Sequence, residues 1–329
     1  MAPPERFPIA VIPTPLQPMD RLGRHLGFDE GMLWVKHDDL TGLAGGGNKA
    51  RKLDYLVADA LARGCDTLLT GGAAQSNHVR MTGAAARRAG LSCVAVLGGA
   101  RPPASEGNLI LDELFGIELN WVGDYDASRL ETAMAETCLR LAAEGRRPYE
   151  VPLGGASEIG TLGYVAAAAE LVTQAPMGVV VYTATGSGGT QAGLAVGFGH
   201  HDRVRGVDVG AIPDVEERIE SLVAATASLA CRPFPAGRVQ LDRSQVGAGY
   251  GALTPEAEEA ISLGAELEAL VLDPVYSAKA LAGLIADRRT GRLAPDQPTV
   301  FLHTGGLPSV FTRRFAQHLA RRAAASPAG

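Results

Sequence analysis

An α/β fold built on mainly parallel sheets is what this sequence predicts, and three observations carry the prediction. Short apolar runs alternate with amphipathic, alanine-rich stretches over most of the chain, the pattern of strands joined by crossover helices. Glycine-rich turns punctuate those runs, at the positions where open α/β sheets gather ligands. The chain has 329 residues, 46% hydrophobic and 20% charged, enough for two lobes or one large unit with a sizeable core.

In order along the chain, strands are expected at 66–70, 92–97, 117–122, 178–183, 204–209 and 299–303, each an apolar run bounded by turn residues. The first strong helix runs over 49–63, because Leu53, Leu56, Val57, Ala60 and Leu61 recur at the spacing of one buried face. Further helices are expected at 79–89, 191–199 and 277–289. No internal repeat is visible, and low complexity is confined to the alanine-rich tail 321–329. Glycine turns at Gly45-Gly46-Gly47, Gly71-Gly72, Gly154-Gly155, Gly186 to Gly189 and Gly305-Gly306 suggest one shared crevice.

Charge and cysteine usage narrow the function. The net charge of -6 is spread evenly, without the like-charge runs of a nucleic-acid arm or a membrane patch, so small-molecule chemistry is the default. The pairs Arg87-Arg88, Arg288-Arg289 and Arg321-Arg322 read as solvated helix faces, and the adjacent His200-His201 as surface. Cys65, Cys93, Cys138 and Cys231 form neither a zinc pattern nor a disulfide framework, which fits a reduced cytoplasm. The proline-broken N-terminus lacks a signal-peptide core, and no apolar run is long enough to span a membrane. H-E-x-x-H and G-x-S-x-G are both missing, so zinc hydrolysis and the hydrolase triad have little basis.

The strand at 178–183 runs through Gly186-Ser187-Gly188-Gly189-Thr190 into a helix. Glycines permit a tight turn whose N–H groups converge on an anion, the helix N-terminus adds its dipole, and Ser187 and Thr190 add hydroxyls. A phosphate is the expected ligand. A dinucleotide site is the competing reading, since Asp208 follows at the end of another strand, but Gln191 replaces the third fingerprint glycine. A P-loop fails for want of a Gly-Lys-Ser/Thr.

Of 30 basic residues only four are lysines: Lys36, Lys49, Lys52 and Lys279. Arginine forms no imine, so an aldehyde cofactor behind that phosphate would have to use one of the four. Lys49 follows three glycines and opens the first helix; the helix N-terminus and Lys52 one turn on would keep its amine neutral. Gln75-Ser76-Asn77-His78 opens another helix with the hydroxyl, amide and N–H groups that hold a carboxylate; alone, Ser76 reads as an N-cap and His78 as structural. Tyr250 and Tyr276 stand between turns, either facing a pocket or packing. Thr304 ends the last strand before Gly305-Gly306, against a cofactor edge or closing a turn.

Taken together, Gly46-Gly47-Asn48-Lys49-x-Arg51-Lys52-Leu53, Gln75 to His78, Gly186 to Thr190, Asp273-Pro-Val-Tyr276 and His303 to Gly306 resemble the D-cysteine desulfhydrase and 1-aminocyclopropane-1-carboxylate (ACC) deaminase family. These are two-lobed, fold type II pyridoxal-phosphate (PLP) enzymes, similar to the tryptophan synthase β subunit. The resemblance implies a PLP-binding domain of residues 1–51 and 168–329, with a small domain, 52–167, inserted in it. It implies that Lys49 holds PLP as a Schiff base and that Gly186, Ser187, Gly188, Gly189 and Thr190 bind its phosphate with help from Lys52. Asn77 would meet the ring hydroxyl and Thr304 the pyridine nitrogen. Gln75, Ser76, Asn77 and His78 would bind the substrate carboxylate. Tyr276, with Tyr250, would lie near the reacting carbons.

The reaction implied is β-elimination from a small amino acid: D-cysteine to pyruvate, ammonia and hydrogen sulfide, in a cytoplasmic homodimer. ACC deaminases resemble a different pattern, with glutamate and leucine where Ser277 and Thr304 stand here. Ser277-Ala278 also replaces the more usual Thr-Gly, and Gln191 a frequent histidine, both expected near the pocket, with L-cysteate or a β-substituted D-amino acid as alternative substrates and ACC deamination as an alternative reaction. A nicotinamide oxidoreductase and a non-catalytic binding protein are the readings of other classes.

Overall fold

The computed structural model describes residues 5–123 and 126–325. The first four residues of the proline-broken N-terminus and the last four of the alanine-rich tail lie outside the described residues. In chain order the first elements are β1 (Leu16–Pro18), α1 (Asp20–Leu26), β2 (Leu33–His37), α2 (Lys49–Ala62), β3 (Thr67–Ala73), α3 (Asn77–Arg88), β4 (Ser92–Gly98) and α4 (Asn108–Leu114). Next come β5 (Glu118–Trp121), α5 (Ala127–Ala143), β6 (Pro148–Glu150), α6 (Glu158–Gln174), β7 (Val180–Thr185), α7 (Gly189–Phe198) and β8 (Val204–Asp208). The rest are α8 (Val215–Leu229), β9 (Gln240–Asp242), α9 (Pro255–Glu268), α10 (Ser277–Arg289), β10 (Thr299–His303) and α11 (Arg313–Ala325).

Two sheets result. The larger has six strands in the order β1-β2-β10-β7-β8-β9, parallel throughout except that β1 runs antiparallel to β2. The smaller has four parallel strands, β5-β4-β3-β6. Parallel sheets are covered by helices on both faces, so their strands read as unbroken apolar runs. In β4, for example, every residue from Cys93 to Gly98 is buried.

β10 and α10 coincide with the expected 299–303 and 277–289, and the other expected elements lie within about two residues of their observed ends, except that β3 runs three residues past the expected 66–70. β1, β2, β6 and β9 were not foreseen. Three of them are three-residue strands without alternation, and β2 carries Lys36 at its centre. That lysine is fully buried because its Nζ donates to Glu170 Oε2 (2.9 Å), Gln174 Oε1 (2.6 Å) and Thr14 O (2.8 Å).

α2 buries Leu53, Leu56, Val57 and Ala60 as its periodicity requires, whereas Leu61 is turned outward at 37% exposure. The same helix buries Arg51, which donates to both oxygens of Asp38 (2.8 Å each) and to Glu170 Oε1 (2.7 Å). Tyr164 completes the cluster by donating to Asp38 Oδ2 at 2.5 Å. Burial pushes the Asp38 carboxyl up, but the Arg51 charge and the hydrogen bonds outweigh it and hold the group below its usual range. This cluster ties the first turn of α2 to β2 and α6.

Two surface readings need correction. His201 is buried at 7% exposure, its N–H bonded to Ala236 O, while His200 is exposed. Arg288 is not merely solvated: it lies over the Phe28 ring at 5.4 Å and donates to Gly27 O. Among the described residues no helix is long and apolar enough to cross a membrane.

Candidate active site

A crevice opens at the C-terminal ends of β3, β7, β8 and β10, where parallel α/β sheets present their loops and helix N-termini. It is lined by Lys49, Ser76, Asn77, His78, Gly186, Ser187, Gly188, Thr190, Tyr250, Tyr276 and Thr304, so residues far apart in sequence converge as expected. Three expected residues stand outside the lining. Gly189 is the first residue of α7 and Lys52 lies directly behind it; a Cβ at Gly189 would come within 2.9 Å of the lysine Nζ. Gln75 faces away. Its Nε2 donates to Glu106 O (3.0 Å) and its Oε1 accepts from Asn108 N (2.9 Å), which fixes the amide toward α4 and away from the crevice.

Lys49 opens α2 after a loop held against the end of β10. Asn48 N–H donates to Thr304 O at 3.0 Å, and a Cβ at Gly305 would collide with Gly47 Cα, so both glycines serve close backbone approach. The Lys49 amine donates to Asn48 Oδ1 (2.9 Å), and Asn48 Nδ2 donates to Thr190 Oγ1 (3.1 Å). Asn48, expected only as a motif neighbour, thereby links the amine to the glycine loop. Protein encloses the amine, although its side chain keeps partial access through the crevice.

Burial lowers the Lys49 pKa to about 8; Asp273 opposes the shift and Arg80 adds to it. Desolvation, rather than the helix terminus or Lys52, is therefore the main cause. Lys52 is itself held well below the usual lysine range by burial and by the neighbouring Lys49 and Arg218 charges, and it donates to Gly154 O at 3.1 Å.

The Gly186 to Thr190 loop has the backbone that its composition implies. Gly188 is left-handed at φ +81 and caps α7, a conformation that favours glycine. The first-turn N–H groups of α7, with the Ser187 and Thr190 hydroxyls and Lys52 behind, form a donor set suited to a phosphate dianion. A side chain at Gly154 would run into Ser187, so the wall opposite is also kept bare. These residues fit the phosphate and aldehyde ends of PLP.

Ser76 is both the N-cap of α3 and a wall of the crevice: its Oγ accepts from Val79 N (3.2 Å), leaving its hydroxyl hydrogen to donate elsewhere. Asn77 Oδ1 accepts from Asn108 Nδ2 (3.0 Å), which orients its own Nδ2 as the available donor. His78 Nε2 pairs with Thr70 Oγ1 (2.9 Å), and burial with the Lys49 and Lys52 charges keeps the ring well below its usual pKa, hence neutral.

Tyr276 owes its place to Asp273, whose Oδ2 accepts the N–H groups of Val275 and Tyr276 (2.9 Å each) and whose Oδ1 accepts Ser277 N (2.8 Å). The Tyr250 and Tyr276 hydroxyls are hydrogen-bonded, their rings edge to face at 6.1 Å. Ser277 donates its hydroxyl to Asp273 Oδ1 (2.6 Å) and is withdrawn from the crevice. Gln191 is likewise withdrawn: it accepts from Thr185 Oγ1 (2.8 Å) and donates to Gln240 O (2.8 Å) behind the loop, so its presence there sets no substrate preference directly. Lys36 sits in the ion cluster and Lys279 donates to Val246 O (2.8 Å), which leaves Lys49 as the lysine that lines the crevice.

Comparison with known proteins agrees with this geometry. Residues 8–305 match the family model described as pyridoxal-phosphate dependent enzyme. The chain is 41% identical to a putative ACC deaminase of Pyrococcus abyssi, over 93% of this chain and 94% of that one. It is also 41% identical to D-cysteine desulfhydrase of Salmonella choleraesuis, over 93% and 96%. A solved structure of an ACC deaminase homologue superposes with TM-score 0.88 at 37% identity, covering 96% of each chain. Threonine deaminase isoform 2 of Solanum lycopersicum shares the fold with TM-score 0.66 at 14% identity, covering 96% of this chain and 85% of that one.

Proposed function

Because the chain belongs to the pyridoxal-phosphate dependent enzyme family, in its fold type II branch, we propose that it catalyses β-elimination from a small amino acid, D-cysteine foremost, giving pyruvate, ammonia and hydrogen sulfide. The observation that carries this reading is the Lys49 amine: enclosed, lowered to about 8, and linked through Asn48 to the Thr190 hydroxyl of the phosphate-type loop.

Bound PLP supplies an electron sink that eases loss of the substrate's α-proton. Lys49 would hold the cofactor, and its amine, when free, would be the favoured base at the α-carbon. The loop Gly186 to Thr190 and Lys52 would hold the phosphate, and Asn77 would hold the ring through its amide. Ser76, with Asn77 and His78 beside it, receives the substrate carboxylate, while Gln75 supports that loop from behind. Tyr276, steadied by Tyr250, delivers a proton to the leaving sulfur. Ser76 is the competing group for that proton.

Thr304 would present a neutral hydroxyl to the cofactor ring, which would not enforce ring protonation as an acid would, and this would favour elimination over chemistry that needs a fully developed carbanion. Withdrawal of Ser277 onto Asp273 supports the same preference over ring-opening of ACC. The test is a screen of purified protein for pyruvate or 2-oxobutyrate against D-cysteine, L-cysteine, L-cysteate, D-serine, β-chloro-D-alanine and ACC. D-cysteine is expected to give the highest kcat/KM. Faster release of 2-oxobutyrate from ACC would overturn the assignment, and sulfite from L-cysteate would redirect it.

We further propose a small domain centred on β3 to β6, its supporting feature being a sheet drawn wholly from residues 67–150. The division expected between 167 and 168 falls within α6, which packs against α7, and so belongs before that helix. A cytoplasmic homodimer completes the reading. Exposed Leu40, Val271 and Leu307 around one shallow depression offer an apolar face for a second copy, and light scattering tests it.

A further inference from the structure

Beyond the tyrosine pair lies a second cavity of about 700 Å³, which shares Ala73, Tyr250 and Tyr276 with the catalytic crevice. A three-carbon substrate leaves this space unused: hydrogen sulfide is a single heavy atom, whereas sites of roughly 300 to 1,000 Å³ accommodate drug-sized groups. Its walls differ in kind from those of the crevice. Leu253, Val275 and Phe315 supply apolar surface, and Arg314 and Arg321, projecting from α11, stand at its mouth. Glu258 also lines it, and His318 lies 3.3 Å from that carboxylate, so the arginines define the sign of the rim.

We propose that this annex receives the β-substituent of the substrate, and that the enzyme takes cysteines S-substituted with an aryl group bearing an anionic end. The inference rests on the β-elimination reading and names a substrate class for it. The α-carbon is held at Lys49, the sulfur lies beside Tyr276, and the aryl body passes the tyrosine pair onto Leu253 and Phe315 with its anion toward Arg314. The Cα–H and Cβ–S bonds break. The sulfur leaves with the Cβ–S electron pair and takes a proton, and the three-carbon enamine adds one water to become pyruvate and ammonium. One conjugate and one water thus give one thiol, one pyruvate and one ammonium, with no change of oxidation state overall.

The experiment uses the holoenzyme with both enantiomers of S-(4-carboxyphenyl)-cysteine, S-phenyl-cysteine and cysteine, reading thiol and pyruvate release. The carboxylated conjugate is expected to exceed cysteine of the same hand at least tenfold in kcat/KM. Leu253→Trp, and Gln317→Trp on the exposed helix, are expected to fill the annex and cost the conjugate tenfold or more, chiefly in KM, while cysteine turnover stays unchanged. Arg314→Ala is expected to weaken the carboxylated conjugate but not S-phenyl-cysteine. Independently of turnover, 4-mercaptobenzoate binding by calorimetry is expected to weaken in both tryptophan variants. Turnover of cysteine without either conjugate, or equal losses for cysteine and conjugate in the variants, would overturn the proposal and leave the annex a solvent passage. If no amino acid reacts while 4-mercaptobenzoate still binds and Gln317→Trp weakens it, the elimination reading fails and the annex stands as a binding site; absence of that binding removes the annex itself.

Discussion

Replacing Lys49 is expected to make the cofactor-free protein more stable. In the folded chain the Lys49 amine is lowered from 10.5 to about 8, first by burial and then by Arg80, with Asp273 opposing. Between those values the unfolded chain carries a proton that the folded chain has released, so the site's contribution to stability rises with pH through that window. Below about 8 the penalty is complete. Two and a half pH units at about 1.4 kcal/mol each amount to ~3 kcal/mol, and partial access through the crevice reduces this to about 1–3 kcal/mol. Lys49→Met removes the amine, keeps a comparable unbranched chain, and also relieves the electrostatic load on Lys52. The assay is urea denaturation of the apo forms at pH 7 and at pH 10.5. The variant is expected to be the more stable at pH 7 by about 1–3 kcal/mol, with the gap closing at the higher pH. A variant that is less stable at pH 7, or a gap that ignores pH, would refute the claim that burial disfavours the charged form of the lysine.

Other predictions follow from the same geometry. Asn108→Ala deletes the donor shared by Asn77 Oδ1 (3.0 Å) and Gln75 O (2.9 Å). It is expected to cost about 1–3 kcal/mol of stability and to weaken PLP affinity, measured by cofactor titration of the apoprotein, while leaving the Lys49 pKa where it was. Thr304→Glu is expected to favour ring protonation and lower pyruvate release from D-cysteine; unchanged release would remove Thr304 from the argument. Asp38→Asn removes one of the two carboxylates paired with buried Arg51, leaving Glu170, and is expected to destabilise by up to about 3–5 kcal/mol in denaturant titration, although no atom of Asp38 lines the crevice.

Much of the site was legible because its chemistry needs rare residues. Lys49, the glycine loop before Thr190, Ser76, Tyr276 and Thr304 each end or begin a regular element, and turn composition marks such places. What stayed hidden depends on side-chain direction, which spacing does not encode. Gln75 and Asn77 are two residues apart, yet one braces α4 and the other faces the crevice. Gln191 and Ser277 occupy motif positions but turn away. Asn108 acts through hydrogen bonds to Gln75 O and Asn77 Oδ1 and carries no motif, while Asp273, which opens a motif, gave no sign that it acts by accepting the backbone N–H groups after it. In the fold, strands with buried apolar runs were readable, whereas β2 concealed itself by burying a lysine whose partner, Glu170, lies in a distant helix.

The strand order of the larger sheet has a consequence for how the chain must be made. β10 lies between β2 and β7, so β2, formed early, finds its central partner only when Thr299 to His303 emerge, 266 residues after their counterparts Leu33 to His37. At a ribosomal pace of roughly 5–20 residues per second the N-terminal hairpin waits about 13–50 s with one edge open. The four-stranded sheet, complete by Glu150, closes meanwhile. A nascent chain stalled before Thr299 would therefore carry one finished sheet and two exposed strand edges, on β2 and β7, and the same late strand that seals both also delivers Thr304 to the crevice.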